Sequence, residues 1–510
     1  MSTPTLTTDI PNSRSQIKNP NVALALIGLA IFMGATDLTV VTAVLPKVMV
    51  DLNVSIDTDL NHAAWVITGY LLAYTISMTF MGRLSDLLGR RATYLLCLLI
   101  FIVGSGAAAA APTLNALIAG RIVQALGAGA MVPISMALVG DLFPPERRAP
   151  ALGFIGAVDT AGWMLGHLYG GVLMRAFDDW RLLFWLNIPM GIVALGLTWW
   201  ALRRVPQTRA GGSFDWAGAL LITGSLIALN IGLAAGGEMG ATNFYGERIG
   251  PPPYALPLVI GALLLLGAFV WVERRARDPL LDLGLFRHRA VAAACVVNTL
   301  VGFALALALA NVPLFINTRL ALFNMTDPDI LRIGAWDSGW ILSALTLTMA
   351  LAAVPGGWLA RRFRERLPTV AGLLPALVGY LLLSTWQADT GYPVMVAELI
   401  LVGIGLGLVI SPVATSVINT ADDDHRGSAA ALVIILRLVG MTLGVAVLTL
   451  WGVQRQEVLR AAGATDPLAA GDPALFLVNV AAQVVGETFL FGALACLSAL
   501  LVALLMARKA

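Results

Sequence analysis

About fourteen stretches of roughly 20 apolar residues follow one another along this chain, and no other feature constrains its fold as tightly. They lie near 22–46, 62–82, 91–111, 114–139, 149–174, 182–202, 215–236, 254–273, 289–318, 334–360, 367–386, 393–419, 427–453 and 483–507. Each is long enough to cross the hydrocarbon layer as a helix, which satisfies its own backbone hydrogen bonds where no water can. The expected class is therefore an all-α integral membrane protein. Composition agrees, with 58% of residues hydrophobic and 12% charged, against about 25% charged in soluble domains.

The charges that remain orient the chain. Roughly two-thirds of the 32 Lys and Arg residues fall in the connecting segments on one side, which by the positive-inside tendency is the cytoplasmic one. Both termini then lie in the cytoplasm, the number of spans is even, and the location is the cell's inner (plasma) membrane. Residues 1–21 are polar, with Pro4, Pro11 and Pro20, and are expected to form a disordered cytoplasmic tail. A net charge of +2 without a basic stripe gives no footprint for nucleic acid. Cys97, Cys295 and Cys496 stand far apart within apolar runs, as packing residues do rather than metal ligands or disulfides. The chain contains no phosphate-binding GxxxxGK[ST], no nucleophile elbow and no HExxH. Neither an enzyme nor an ATP-driven pump is indicated, and no cofactor is expected beyond protons as a coupling ion.

The second apolar run ends in water at GRLSDLLGRR, residues 82–91. Gly82 and Gly89 permit close helix approach and a tight turn. Asp86 is placed to accept hydrogen bonds from a neighbouring helix N-terminus or to pair with an arginine. Gly82, Asp86, Gly89, Arg90 and Arg91 resemble the motif joining the second and third helices of major facilitator superfamily transporters, which implies a cytoplasmic gate. GGWLARRFRER at 356–366 follows the second span of the last six in the same way, without the aspartate. The expected organisation is an N-terminal six-helix bundle (22–202), a linker with two additional spans (203–288) and a C-terminal six-helix bundle (289–507). External segments are expected at 237–253, 319–333 and 454–482. The last reads as an amphipathic continuation of the thirteenth span that turns back into the fourteenth, either as an ordinary loop or as two projecting helices that hand substrate to an outside partner.

Charges inside the spans are few and costly, so each is a functional candidate. Asp37 follows an uncharged run from Val22 to Thr36 and reaches mid-membrane depth. A carboxylate there escapes the cost of its charge by binding a proton, as a proton carrier must. Arg121 cannot discharge, and Gln124 lies one turn along the same face. Gly127 and Gly129 follow and permit close packing. Asp159 precedes Gly162, Gly166 and Gly170, a line of small residues suited to a sliding or hinging contact. Arg437 is the second obligatory cation. If Asp37, Asp159 and Arg437 line one cavity, protonation of either aspartate releases the arginine. Glu398 and Glu487, nearer the span ends, suit lateral packing or the surface, with a gate as the lesser reading. His167, inside the glycine line, is a weak relay candidate beside a packing role.

Further motifs point one way. Asp37-Leu38-Thr39-Val40-Val41-Thr42-Ala43-Val44-Leu45-Pro46 resembles the first-helix motif of the fourteen-helix drug/proton antiporter branch of the superfamily, with Thr42 in place of the usual Asn. Arg121-Ile122-Val123-Gln124 is similar to the fourth-helix motif tied to proton coupling. Gly162 through Gly171 resembles the fifth-helix antiporter motif, with His167 where proline is usual, so the kink found there is not implied. DDWRLLFWLNIPMG (178–191), GLGLVISP (405–412) and LRLVGMTLGVAVLTLWG (436–452) resemble the mycobacterial triacylglycerol exporter subgroup. In that subgroup the counterparts of Asp37, Asp159 and Arg437 are implicated in transport, the middle one being glutamate. The resemblance implies proton-coupled export of lipids or lipophilic compounds, alone as a monomer or with an extracytoplasmic lipoprotein. A polyspecific drug/proton antiporter is the alternative, and a membrane receptor or scaffold the remote one.

Overall fold

The computed structural model describes residues 20–506 apart from 54–55, 178, 206–210, 235–253, 282, 324–329, 423–424 and 464–470. The expected tail up to residue 19, the external segment 237–253 and the tip of the 454–482 segment lie outside the described residues. The chain is helical throughout: α1 (Pro20–Asp51), α2 (Ile56–Leu88), α3 (Arg90–Ala109), α4 (Leu114–Leu142), α5 (Pro145–Phe177), α6 (Arg181–Leu202), α7 (Trp216–Ala234), α8 (Ala255–Glu273), α9 (Arg289–Phe323), α10 (Ile330–Phe363), α11 (Arg366–Leu383), α12 (Tyr392–Thr420), α13 (Arg426–Val447), α14 (Val453–Ala462) and α15 (Pro473–Ala503).

Among the described residues, 12 helices are long and apolar enough to cross a membrane, and the protein is a multi-pass membrane protein. The expectation of fourteen spans is met at twelve positions. In α5, Asp159 and the repeated glycines dilute the apolar content. In α7 the apolar stretch Trp216–Gly232 is short. Several helices also outrun their expected limits. The segment expected as an external loop at 319–333 is helical up to Phe323 and again from Ile330. Hydropathy marks only the part of a helix that lies in hydrocarbon, whereas the backbone continues its hydrogen bonding into water.

Burial ranks the helices by depth. In α4, 83% of the most apolar window is buried within the protein, against 17% in α8, so α4 is central and α8 faces lipid. α1 packs on α5, α3 on α4, α9 on α13 and α15, and α10 on α12. The largest contacts between early and late helices are those of α5 along α10 and of α2 along α13, and α4 meets α13 and α5 meets α12 over smaller areas. α7 and α8 pair through Ser225 Oγ, which donates to the Ala262 carbonyl at 2.8 Å, and α7 leans on α2 and α13. Glycine makes the close approaches possible. A Cβ on Gly129 would stand 2.2 Å from the Tyr74 carbonyl oxygen of α2, and one on Gly127 2.4 Å from that of Cys97 in α3.

Candidate functional site

Asp37 and Arg121 meet in the core as a direct ion pair between α1 and α4, both fully buried. The pair is held from several sides. Arg121 Nη1 also donates to Gln124 Oε1 at 2.8 Å, and Nη2 to the Asp37 backbone carbonyl at 3.3 Å. Gln124 Nε2 donates in turn to Ser105 Oγ at 2.8 Å. Asn187 Nδ2 of α6 donates to the other Asp37 oxygen at 2.8 Å. The guanidinium lies 3.8 Å over the Tyr70 ring, a cation–π contact strengthened by the lack of water. Four elements besides α1 thus converge on one carboxylate and its arginine.

The second pair is sparser. Arg437 Nη2 of α13 donates to Asp159 Oδ2 of α5 at 3.4 Å, a long contact. Among the described residues, Asp159 Oδ1 and Trp163 Nε1 have no hydrogen-bond partner. Beside them is a cavity of about 10 Å³, lined also by Thr160, Thr346 and Met349, which is about the room one water needs. Of the three residues that would form a single switch if they lined one cavity, Asp159 and Arg437 line this one. Asp37 borders a separate cavity of about 350 Å³ between α1, α5 and α6, whose lining has no residue in common with the first. Helical periodicity tells which face a residue occupies but not which neighbour covers that face, and here α4 rather than α13 supplies the arginine for Asp37.

The glycine line brings α5 against α1. A Cβ on Gly162 would meet Ala35 Cβ at 2.5 Å, and one on Gly166 would meet the Thr36 carbonyl at 2.3 Å. Gly170 is buried further along. The His167 side chain is outside the described residues. Glu398 is half-buried and accepts from Trp386 Nε1 at 2.7 Å. Glu487 accepts two bonds from Arg455, at 2.7 and 2.8 Å, tying α15 to α14. Both therefore act within lateral helix packing. A π-helical turn, Leu448–Gly452, carries α13 into α14.

At the end of the molecule where α2 turns into α3, Asp86 does both things expected of it. It accepts from the backbone N–H of Gly427 (3.0 Å) and of Ser428 (3.2 Å) at the start of α13, and from Arg90 Nη2 (3.1 Å). The N-terminal end of α13 favours that negative charge. Arg90 also pairs with Asp141 at the end of α4, which receives Arg426 Nη1 at 3.3 Å. Gly82 makes room, since a Cβ there would stand 2.9 Å from the Gly427 carbonyl. Gly89 turns the chain with φ +96°. Arg91 reaches the Arg203 carbonyl at 3.1 Å on the surface.

The later repeat builds a counterpart. Gly357 stands seven residues before Arg364 just as Gly82 does before Gly89, and a Cβ on it would lie 2.3 Å from the Ala149 carbonyl of α5. Arg364 adopts φ +61° at the turn, and exposed Arg361 takes the place of Asp86. Arg148 of α5 donates to Asn419 Oδ1 at the end of α12, at 3.1 Å. Arg426 and Arg148 therefore cross over, each reaching the helix end that matches the partner of the other. Asp141, Arg148, Asn187, Asn419 and Arg426 were not singled out from sequence. Asn187 alone carried a local signal, as a polar residue in an apolar run; the others belong to solvated helix ends until the packing is known.

Residues 27–445 match the family model described as Major Facilitator Superfamily. The chain is 34% identical to the triacylglyceride transporter of Mycolicibacterium hassiacum, over 85% of this chain and 79% of that one. It is 32% identical to that of Mycolicibacterium smegmatis (96% and 88%). To the triacylglyceride transporter of Mycobacterium tuberculosis it is 33% identical (88% and 85%). Among solved structures, the human organic anion transporter MFSD10 superposes with a TM-score of 0.58 at 16% identity, covering 94% of this chain and 99% of that one. The proton:xylose symporter XylE does so with a TM-score of 0.54 at 14% identity, covering 93% and 94%.

Proposed function

Because the chain belongs to the major facilitator superfamily, a family of transporters rather than enzymes, we propose that it is a proton-coupled secondary transporter. It exports lipids of the triacylglycerol kind, or similarly lipophilic compounds, by alternating access. The observation that carries this reading is Asp37: a buried carboxylate within a helix long and apolar enough to cross a membrane, paired with an arginine and bordering a largely apolar cavity. The relatives named as triacylglyceride transporters supply the substrate class.

In this reading the chain spans the membrane fourteen times, counting α5 and α7. It forms two six-helix bundles, 22–202 and 289–507, around the inserted pair in 203–288, with both termini in the cytoplasm. Protons arriving from outside neutralise Asp37 and Asp159. Loss of charge on Asp159 frees Arg437 and loosens α5 from α13, so the bundles separate on one side. Loss of charge on Asp37 leaves Arg121 held by Gln124, the Asp37 carbonyl and Tyr70. The Asp86 and Arg148 contacts hold the cytoplasmic side closed until the bundles rock. The protein works as a monomer, and α14 with the start of α15 offers the surface to an extracytoplasmic lipoprotein.

The test is outward transfer of a fluorescent triacylglycerol and of a cationic dye in proteoliposomes, with and without a pH gradient, for the native chain and Asp37→Asn. Gradient-driven lipid transfer that disappears in the variant supports the reading. Movement of the dye alone makes the protein a drug/proton antiporter, and transfer indifferent to the gradient removes proton coupling.

A further inference from the structure

The cavity beside Asp37 lies between α1, α5 and α6, away from the α5–α10 and α2–α13 contacts that join early and late helices. Its rim includes Val172 of α5 and Met190 of α6, which are 57% and 41% exposed. Met190, Val193 and Leu197 follow one another at helical spacing on a membrane-crossing helix, and all three are exposed. Exposed apolar side chains in register on such a helix face hydrocarbon, so the rim at Met190 opens to lipid tails. The wall between this rim and the inner end at Asp37 and Asn187 is largely apolar, with Tyr169 and Thr36 as its other polar side chains, the Thr36 hydroxyl donating to the Phe32 carbonyl of its own helix.

We propose that this cleft takes a single acyl chain of a neutral lipid ester sideways from the bilayer, with the ester group drawn to Asn187. Three observations lead there. At about 350 Å³, the cavity is at the small end of the roughly 300–1,000 Å³ of ligand pockets, so it holds one chain and not a three-chain lipid entire. The inner end carries no net charge, since Asp37 is already neutralised by Arg121. A charged head group would be desolvated there without gaining a counter-ion. Asn187 spends one N–H on Asp37 at 2.8 Å, and its amide has a second to give, which suits an ester carbonyl. Lipid in this cleft therefore touches the group that binds the proton. The inference rests on the transport reading above and adds the site and direction of entry.

The probe is a triacylglycerol carrying a photoreactive diazirine in mid-chain, presented to the full-length protein in phosphatidylcholine vesicles. Labelled peptides are expected from α5 and α6 around Leu165, Val172 and Met190. Blocking is done after folding, so that a folding defect cannot imitate it: Met190→Cys is purified and then modified with a bulky maleimide. Val193→Cys on the same lipid-facing row, outside the cleft lining, is the control. Cys97, Cys295 and Cys496 are buried, which keeps the background low. Modification at position 190 should cut labelling by about tenfold, and at position 193 leave it unchanged. Equal labelling in both modified variants, or label spread evenly over lipid-facing helices, overturns the proposal. Displacement by a charged single-chain lipid as effective as by a neutral ester overturns the neutral-lipid assignment. Because labelling is read without transport, a native protein that labels here but moves no lipid keeps the cleft and refutes the transport reading.

Discussion

The Asp37–Arg121 pair and the Asp159–Arg437 pair each bury one carboxylate against one guanidinium between helices, yet they are built to different standards. The first joins α1 to α4, has Gln124, Asn187, Ser105 and Tyr70 around it, and leaves both carboxylate oxygens occupied. The second joins α5 to α13 through one contact of 3.4 Å. Each buried ion must be compensated for the loss of water. The first pair is the better compensated, with both carboxylate oxygens bonded and Arg121 Nε left over, whereas the second leaves a carboxylate oxygen, Asp159 Oδ1, without a partner among the described residues and rests on one long contact.

Removing the arginines separately is the most direct way to break this contrast. Arg121→Ala strands Asp37 in the core and should cost about 3–5 kcal/mol, read as thermal unfolding in detergent. Adding Asp37→Asn should return most of that loss. If Arg437→Ala proves as costly, the two pairs are not different in kind. Its expected cost is smaller, about 1–3 kcal/mol, and its main effect is on opening. A cysteine at Thr346, which lines the small cavity, should then be alkylated faster than in the native background. Asp159→Glu sharpens the comparison from the other direction. One added methylene brings the carboxylate to Arg437 within ordinary hydrogen-bond length, adds about 1 kcal/mol and slows that alkylation. A loss of stability instead means that the cavity cannot take the methylene.

The smallest effect serves as a control on pH. Asp278, outside the spans, is held below the usual carboxylate range by the backbone N–H and the hydroxyl of Ser213, at 2.9 and 3.0 Å. Because its folded value is lowered, its contribution is complete above about pH 4 and fades only as pH falls through that lower value. Ser213→Ala should therefore leave the pH dependence of unfolding unchanged between about pH 5 and 8. A change in that window shows that surface groups, and not those inside the membrane, set it.

The spans were legible because a run of apolar residues is a local property; Asp37, Arg121 and Gln124 were legible as polar breaks in such runs, and Asp86 from the charged, glycine-punctuated turn that follows one. Their partners were not. Asn187 lies 150 positions from Asp37, Asn419 lies 271 from Arg148, and Gly427 lies 341 from Asp86. Only packing decides such meetings. For the same reason the sequence left open which aspartate Arg437 would meet, and in the structure it meets Asp159. The helix expected as the fifth span, α5, falls outside the twelve because the residues that make it interesting, Asp159 and the glycines against α1, are those that make it less apolar.

Gly89 and Arg364 turn the chain at matching places, both with positive φ. For glycine this backbone form is free, whereas for arginine it costs about 1–2 kcal/mol. The two turns share the sign of φ, +96° and +61°, although the later one carries arginine where the earlier has glycine and lacks its aspartate. A positive torsion angle thus recurs at corresponding places where the letters differ, and a comparison of the two ends of this chain has reason to read backbone angles as well as residues.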